Sequence, residues 1–457
     1  MDWVLWGLDG VARETLLFAA VGFFIGGFDD LLVDLLWLLR WPFARRLVLT
    51  ALPAPAPVPP LAVFVPTWRE EAVIGAMLHA ALSRLDYADY RIFVGCYPND
   101  RATIAAVTDV AARDARVRLV IGEENGPTSK GANLNTMWRA LRREDAASGI
   151  ATAAVVLHDA EDVVHPHELA LYAALLDRHD AVQIPVLPLI DRAAPLISGH
   201  YAEEFAEAHA RVLPVRVAIG AGMPFAGVGC AIRTMALAEI AAEHGEPFDA
   251  GSLTEDYELG LRVSALGGRA CFARVEAPDG GLIAVRAYFP SRLHDAVVQK
   301  ARWLRGIALA GWDRVGWGRP LDLGEHWMRL RDRRAPLAVV VLAAAYLALL
   351  SWTVASAAHW LAGTSPLPQP AWLGSVLAIN LALLLWRLAC RIVFTAHAYG
   401  WREARWSALR LFVGNVVAIL AVRRALDQYL RARRETQPHW DKTAHVFPTD
   451  LTAMDAQ

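Results

Sequence analysis

Charge is scarce in this sequence. Only 20% of its 457 residues are Asp, Glu, Lys or Arg, against 55% hydrophobic residues, an excess that points to lipid rather than to a larger water-soluble core. The 45 basic and 47 acidic side chains nearly cancel to a formal net charge of -2, so the overall balance gives no reason to expect a nucleic-acid partner. Cysteine is scarce too. Cys96, Cys230, Cys271 and Cys390 lie far apart, in apolar surroundings and without zinc-type spacing, which argues against a disulfide framework and for reduced core thiols. No internal repeat occurs, and the one low-complexity segment is a proline-rich stretch.

What is abundant is apolar length. Leu16 to Leu39 reads LLFAAVGFFIGGFDDLLVDLLWLL, enough at ~1.5 Å per residue to cross a hydrocarbon core of ~30 Å. Asp2, Asp9 and Glu14 precede the run and no small-residue cleavage site closes it, a poor fit to a cleaved signal peptide. Asp29, Asp30 and Asp34 are the difficulty, because intramembrane carboxylates face a protein interior, a watery path or a neutralising partner. The alternative is a span that stops near Phe28, with the remainder at the interface. Arg40, Arg45 and Arg46 follow, and the positive-inside tendency places the next segment in the cytoplasm.

Two further spans are expected, Ala335 to Leu361 and Trp372 to Phe394, with Arg387 and Arg391 close enough to one end to snorkel. The run 411–422, bracketed by Arg410, Arg423 and Arg424, is short for a span and is expected to be interfacial or re-entrant. Arg431, Arg433 and Arg434 extend a basic collar suited either to anionic headgroups or to an ordinary solvated face. The expected organisation is a membrane helix and juxtamembrane segment (1–50), a stiff proline-rich linker (51–60), a cytoplasmic catalytic domain (61–334), two spans (335–394), and an interfacial or re-entrant helix with its tail (395–457).

Between Leu61 and Arg334, apolar β-branched runs at 61–66, 91–98, 116–122, 153–159 and 181–187 alternate with helical periods at 72–85, 104–113, 131–143 and 166–178. That alternation predicts an α/β domain with a mostly parallel sheet covered on both faces, whose ligands bind at the strands' carboxyl ends. Polar clusters fall at those ends: Pro66 to Glu71, Asn99 with Asp100, and Asp159 to Asp162.

Four constellations carry chemistry. His158-Asp159-Ala160-Glu161-Asp162 puts three carboxylates in four positions, and their mutual repulsion would be relieved by a hard divalent cation such as Mg²⁺ or Mn²⁺ on Asp159, Glu161 and Asp162. The competing structural reading is a solvated turn with Asp162 capping the next helix. Thr254-Glu255-Asp256 opens a helical pattern, YELGLRVSAL. Asp256 is the candidate base for an acceptor hydroxyl, while Ser252 and Glu255 also fit a capping box. In Gln299-Lys300-Ala301-Arg302-Trp303, within a helix expected over 291–305, an amide, a guanidinium and an indole suit sugar, diphosphate and sugar-ring contacts. A basic interfacial helix would carry the same residues. Ser129 to Asn135 enters a helix where backbone N–H groups and Lys130 can meet phosphate, without the full spacing of a P-loop. Gly227-Val228-Gly229-Cys230 is open to two readings, a loop approaching substrate or a tight turn.

Taken in order, Pro66-Thr67-Trp68-Arg69-Glu70, the Lys130–Asn133 cluster, Asp159-Ala160-Glu161-Asp162, Thr254-Glu255-Asp256 and Gln299 to Trp303 resemble the motif series of family-two membrane glycosyltransferases, which includes cellulose and hyaluronan synthases. HDAEDVVHPHEL, SLTEDYELGLR, Arg286 to Pro290 and Trp440-Asp441-Lys442-Thr443 look like its bacteriophage adsorption protein B branch. The resemblance implies a Rossmann-like glycosyltransferase-A fold and inverting transfer from a nucleotide diphosphate sugar with Mg²⁺ or Mn²⁺ on the acidic cluster. It also implies Asp256 as base, with Thr254 and Glu255 beside it. Thr67, Glu70, Asp100, Lys130, Asn133, Asp159, Gln299, Arg302 and Trp303 are then the expected donor- and acceptor-side contacts. Two departures touch base recognition and metal binding: aspartate-x-aspartate is Asp159-Ala160-Glu161 here, and the usual acidic pair after the second strand reads Tyr97-Pro98-Asn99-Asp100. Members of the branch can carry a C-terminal domain that senses a cyclic dinucleotide. The chain stops soon after Trp440, so such control is expected from another protein.

The leading expectation is a bacterial inner-membrane enzyme that extends a cell-surface polysaccharide, with membrane lipids and an outer-membrane or periplasmic export partner around it. Transfer of a single sugar to a polyprenyl phosphate is the enzymatic alternative. A membrane scaffold for phage adsorption or export, with a vestigial site, is the non-enzymatic one, and the five chemical types at Asp159, Asp256, Gln299, Arg302 and Trp303 argue against it.

Overall fold

The computed structural model describes residues 2–40, 47–432 and 445–448. The motif at Trp440 to Thr443 and the basic residues Arg45, Arg46, Arg433 and Arg434 lie outside them. Helix α1, Asp2–Arg40, is unbroken for 39 residues, so it does not stop at Phe28. The carboxylates that made continuation costly meet cations. Asp29 pairs with Arg331 and Arg334 and accepts from the Trp327 indole N–H at 2.6 Å. Asp30 bonds to Arg331 at 2.9 Å and Arg334 at 2.6 Å. Asp34 meets Arg211 and, at 3.8 Å, Arg387, and accepts from the Trp386 indole at 2.8 Å. Each of these acids has neutralising protein partners, one of the settings that would suit a carboxylate inside a bilayer.

The sheet is built from β1 (Leu61–Pro66), β2 (Tyr90–Cys96), β3 (Val117–Ile121), β4 (Ala154–Leu157), β5 (Ala181–Gln183), β6 (Cys230–Arg233) and β7 (Ala270–Phe272). Every residue of β1, β2 and β4 is buried, as continuous apolar runs require when helices cover both faces. The spatial order is β3-β2-β1-β4-β6-β5-β7. All neighbours are parallel except β6, which runs antiparallel to both β4 and β5. The first five strands fall where periodicity predicts them. The insertion of β6 does not follow from it, because CAIR is too short to show a period.

Helix α2, Lys130–Ser148, begins beside the sheet's carboxyl end, with Ser129 as its N-cap accepting from Ala132 N–H at 3.1 Å. Helices α3 (Ile197–Glu207), α4 (Glu255–Ala265) and α5 (Leu293–Trp303) frame the same end. α5 runs on through a π-helical turn at Leu304–Ala310, a form that recurs at functional sites. Beyond the juxtamembrane helix α6 (Leu323–Arg333), α7 (Ala335–Ala362) and α8 (Leu373–Tyr399) pack against α1. Among the described residues, α1, α7 and α8 are the three helices long and apolar enough to cross a membrane. Helix α9, Ser407–Ala432, packs on α3 and α5, with Val417 in one cluster with Tyr201 and Trp303.

Candidate active site

The three carboxylates of the acidic turn after β4 line one cavity, each with a different partner. Asp162 is 2% exposed and turned inward, accepting from the Asp159 N–H at 2.9 Å and bonding His158 Nδ1 at 2.9 Å. His158 Nε2 meets Glu168 at 2.7 Å on its other side. Burial opposes the His158 charge, but Glu168 and Asp162 outweigh it and push the imidazole up to about 10. Asp162 therefore caps no helix, and of the three expected metal ligands it is the one that shares an oxygen with His158. Asp159 instead faces Lys130, Nζ to Oδ1 at 2.6 Å, with Glu255 at 3.9 Å from the same ammonium. Burial would depress Lys130, yet the charges of Asp159, Glu255 and Asp256 hold it well above its ordinary range.

Glu161 has a partner that spacing could not reveal. His445 Nδ1 lies 3.1 Å from Glu161 Oε2 and 3.0 Å from Glu70 Oε1, across 375 residues of sequence in the second case. Phe447 anchors this segment against Val163, Leu189 and Tyr288. Burial, then the charges of Asp159, Asp162 and Glu70, push Glu161 up to about 8 against the pull of His445. A divalent cation would relieve that conflict. Among the described residues no three His, Cys, Asp or Glu side chains form a metal cage. One or two carboxylates completed by substrate phosphates and water are the common arrangement for Mg²⁺. Glu161 and Asp159 fit that donor set, and His445, which Glu161 and Glu70 hold protonated against burial, would add a nitrogen on giving up its proton.

At the start of α4, Thr254 is the N-cap by position and makes no capping bond with its side chain. Ser252 spends its hydroxyl on Glu258 at 2.5 Å and accepts from the Thr254 N–H at 3.1 Å, so the capping box does not form. Burial pushes Asp256 upward against the pull of Lys130, while burial and the Asp256 charge push Glu255 up to about 7. The Gly227 loop is a wall of this site. Gly227 has φ +80°, its carbonyl accepts from Lys130 Nζ at 3.5 Å, and a Cβ there would stand 2.6 Å from Asp256 Oδ2.

Lys130, Asp159, Glu161, Asp256, Gln299 and Arg302 share one cavity of about 110 Å³. Thr254 Oγ1, Gln299 Oε1 and Arg302 Nε line it as buried polar atoms with no hydrogen-bond partner among the described residues. Native proteins rarely leave such atoms unpaired without a ligand or water to meet them. Trp303 is held edge-on to Tyr201 at 6.1 Å, with Phe289 at 6.5 Å. Lys300 points away, to Glu204 and over the Tyr201 ring at 5.1 Å.

The remaining predicted contacts sit behind this cavity. Thr67 donates to the Gly95 carbonyl at 2.8 Å, and Asn133 Nδ2 donates to the same carbonyl at 3.1 Å. Asp100 caps the helix Arg101–Ala111 and accepts from the Arg69 N–H at 2.5 Å, fixing Arg69 at φ +55°, uncommon for a residue other than glycine. Trp68 and Tyr97 pack edge to face at 5.4 Å. Thr67, Asn133 and Asp100 therefore shape the loops beside the cavity through backbone bonds. All four cysteines are free, and burial pushes the Cys96 thiol up to about 11.

Residues 59–306 match the family model described as glycosyltransferase-like family 2. The chain is 35% identical over 488 aligned residues to the bacteriophage adsorption protein B of Escherichia coli (strain K12), and equally to the bacteriophage N4 adsorption protein B of Escherichia coli O157:H7. Both alignments cover 98% of this chain, which spans 64% of the length of these curated relatives. Among solved structures, the mannosyltransferase PcManGT from Pyrobaculum calidifontis, in complex with GDP-Man and Mn²⁺, superposes with a TM-score of 0.54 at 19% identity, covering 92% of this chain and 99% of that one. That likeness is one of fold, the glycosyltransferase-A architecture. The chain belongs to glycosyltransferase-like family 2 and is a glycosyltransferase similar to the adsorption proteins B.

Proposed function

We propose that the protein is an inverting glycosyltransferase of the bacterial inner membrane, catalytic domain in the cytoplasm, that moves a sugar from a nucleotide diphosphate sugar onto a growing cell-surface polysaccharide. The observation that carries the reading is the shared cavity, where a raised carboxylate, an ammonium and three unpaired polar atoms converge. Asp256 takes the proton of the acceptor hydroxyl, whose oxygen attacks the anomeric carbon as the bond to the diphosphate breaks on the opposite face. Its raised proton affinity favours that transfer. Lys130 and Arg302 meet the charge developing on the leaving diphosphate. Thr254 and Gln299 offer hydrogen bonds to sugar hydroxyls, and the Trp303 ring gives an acceptor sugar an apolar surface. Glu161 and His445, with Asp159, would hold Mg²⁺ or Mn²⁺, which when bound neutralises diphosphate charge.

The adsorption-protein name of the relatives supports a product or partner displayed at the cell surface. The fold neighbour's GDP-Man and Mn²⁺ support a nucleotide-sugar donor and a divalent ion. Arg40 at the end of α1 and the basic residues entering α7 support the cytoplasmic placement. The test supplies membrane-embedded protein with a panel of radiolabelled nucleotide sugars and Mg²⁺ or Mn²⁺, beside Asp256→Asn. Metal-dependent polymer that the variant does not make supports the reading. A short lipid-extractable product would move it to polyprenyl phosphate transfer, and a folded protein that neither turns over nor binds any donor would overturn catalysis.

A further inference from the structure

A second cavity, of about 530 Å³, lies away from the catalytic residues, between the end of α4, the segment 217–223 and the start of α6. Most charges on its wall are already committed. Glu325 pairs with Arg329 and accepts from the Gly222 N–H, Arg329 also donates to the Val315 and Gly316 carbonyls, and Asp322 caps α6. Arg269 and Arg319 line the cavity, are exposed, and have no ion pair among the described residues. Two guanidinium forks beside a roomy cavity suit phosphate oxygens.

The cavity's rim is apolar and close to the membrane helices. Leu321 is 95% exposed and Leu323 79%, a poor arrangement for leucines facing water. Ala221 of the cavity wall and the neighbouring Ile219 pack with Val33, Leu36 and Trp37 in the last turns of α1. Gly324, one residue past Leu323, rests on Ile219. At its other end α6 runs directly into α7. The exposed leucines are thus continuous with the surface where α1 and α7 leave the bilayer.

We propose that this cavity binds the headgroup phosphate of an anionic phospholipid, with Leu321 and Leu323 against its acyl chains. The inference rests on the reading that α1 and α7 span a bilayer. Its ligand is a membrane lipid rather than free phosphate, because the apolar rim has no use for a soluble anion.

The test reconstitutes the full chain with spin-labelled phosphatidylglycerol or phosphatidylcholine and measures the motionally restricted lipid by electron paramagnetic resonance. The wild type should favour phosphatidylglycerol, and Arg269→Ala and Arg319→Ala should each weaken that preference, by up to about fivefold per charge. Leu321→Asp, at a site too exposed to disturb folding, should weaken binding of the same lipid. Identical preferences in wild type and variants overturn the proposal. So does displacement of phosphatidylglycerol by inorganic phosphate with Leu321→Asp unaffected, which would make this a soluble-anion site. Release of the protein from membranes by alkaline carbonate would instead defeat the spanning reading itself.

Discussion

Gly227→Ala presses on the base more closely than on any other group of the site, with Lys130 Nζ at 3.5 Å the next nearest. The new Cβ would stand 2.6 Å from Asp256 Oδ2, about 0.8 Å inside ordinary contact, so either the carboxylate or the loop must yield by most of an ångström. The residue also sits at φ +80°, where a side chain adds roughly 1–2 kcal/mol of backbone strain. A displacement of about 1 Å at a reacting group costs on the order of 100-fold in rate. We therefore expect kcat to fall by about two orders of magnitude while donor affinity, measured by calorimetry, stays within a few-fold. Gly245→Ala is the control, because Gly245 has φ +88° and nothing within 4 Å of its added Cβ. It carries the backbone strain alone and should cost stability but not rate. Full kcat in a folded Gly227→Ala enzyme would refute the placement of Asp256 as base against this loop.

Three more outcomes are expected. Because burial raises Asp256 and the base must be ionised to act, kcat/KM should fall as pH drops through a limb above the usual aspartate range of about 4. Glu255→Gln, by removing a neighbouring like charge, should move that limb to lower pH, and an unmoved limb would exclude the pair as its source. His445→Ala should raise the Mn²⁺ concentration needed for half-maximal donor binding by about tenfold or more; unchanged metal dependence would remove His445 from the donor set. Asp34→Asn leaves buried Arg211 with only a share of Glu207, which also pairs with Arg387, and should cost about 3 kcal/mol of stability, read as a lowered melting temperature in detergent.

Much of the catalytic half was legible because its signals are local. β1 and β4 are unbroken apolar runs and β2 is interrupted only by Arg91, and the residues following β4, or opening α4, sit where a parallel sheet places chemistry. Gln299, Arg302 and Trp303 reach the same cavity as Asp256 because one helix carries all three. What was not legible depends on distant partners. Three acids in four positions look alike in sequence, yet each lines the cavity with a different partner: Asp162 with His158, itself pinned by Glu168, Asp159 with Lys130, and Glu161 with His445. His445 carries no local signal, since its neighbours in space, Glu70 and Glu161, come from loops hundreds of residues away. The same holds for α1, where the cost of Asp29, Asp30 and Asp34 was plain but their arginines lie near the far end of the chain.

Those arginine pairings also set an order of biogenesis. A ribosome completes α1 long before it reaches Arg331, Arg334 and Arg387, so the nascent helix meets the insertion machinery with three uncompensated carboxylates. Until those arginines emerge, the last turns of α1 find their partners in the catalytic domain: Arg211 on Asp34, the Ala210 carbonyl on the Trp37 indole, and Val215 and Ala221 against Val33. Assembly of that domain against α1 is therefore a step of membrane integration, and a chain cut short before α6 would leave a half-neutralised helix for quality control to find.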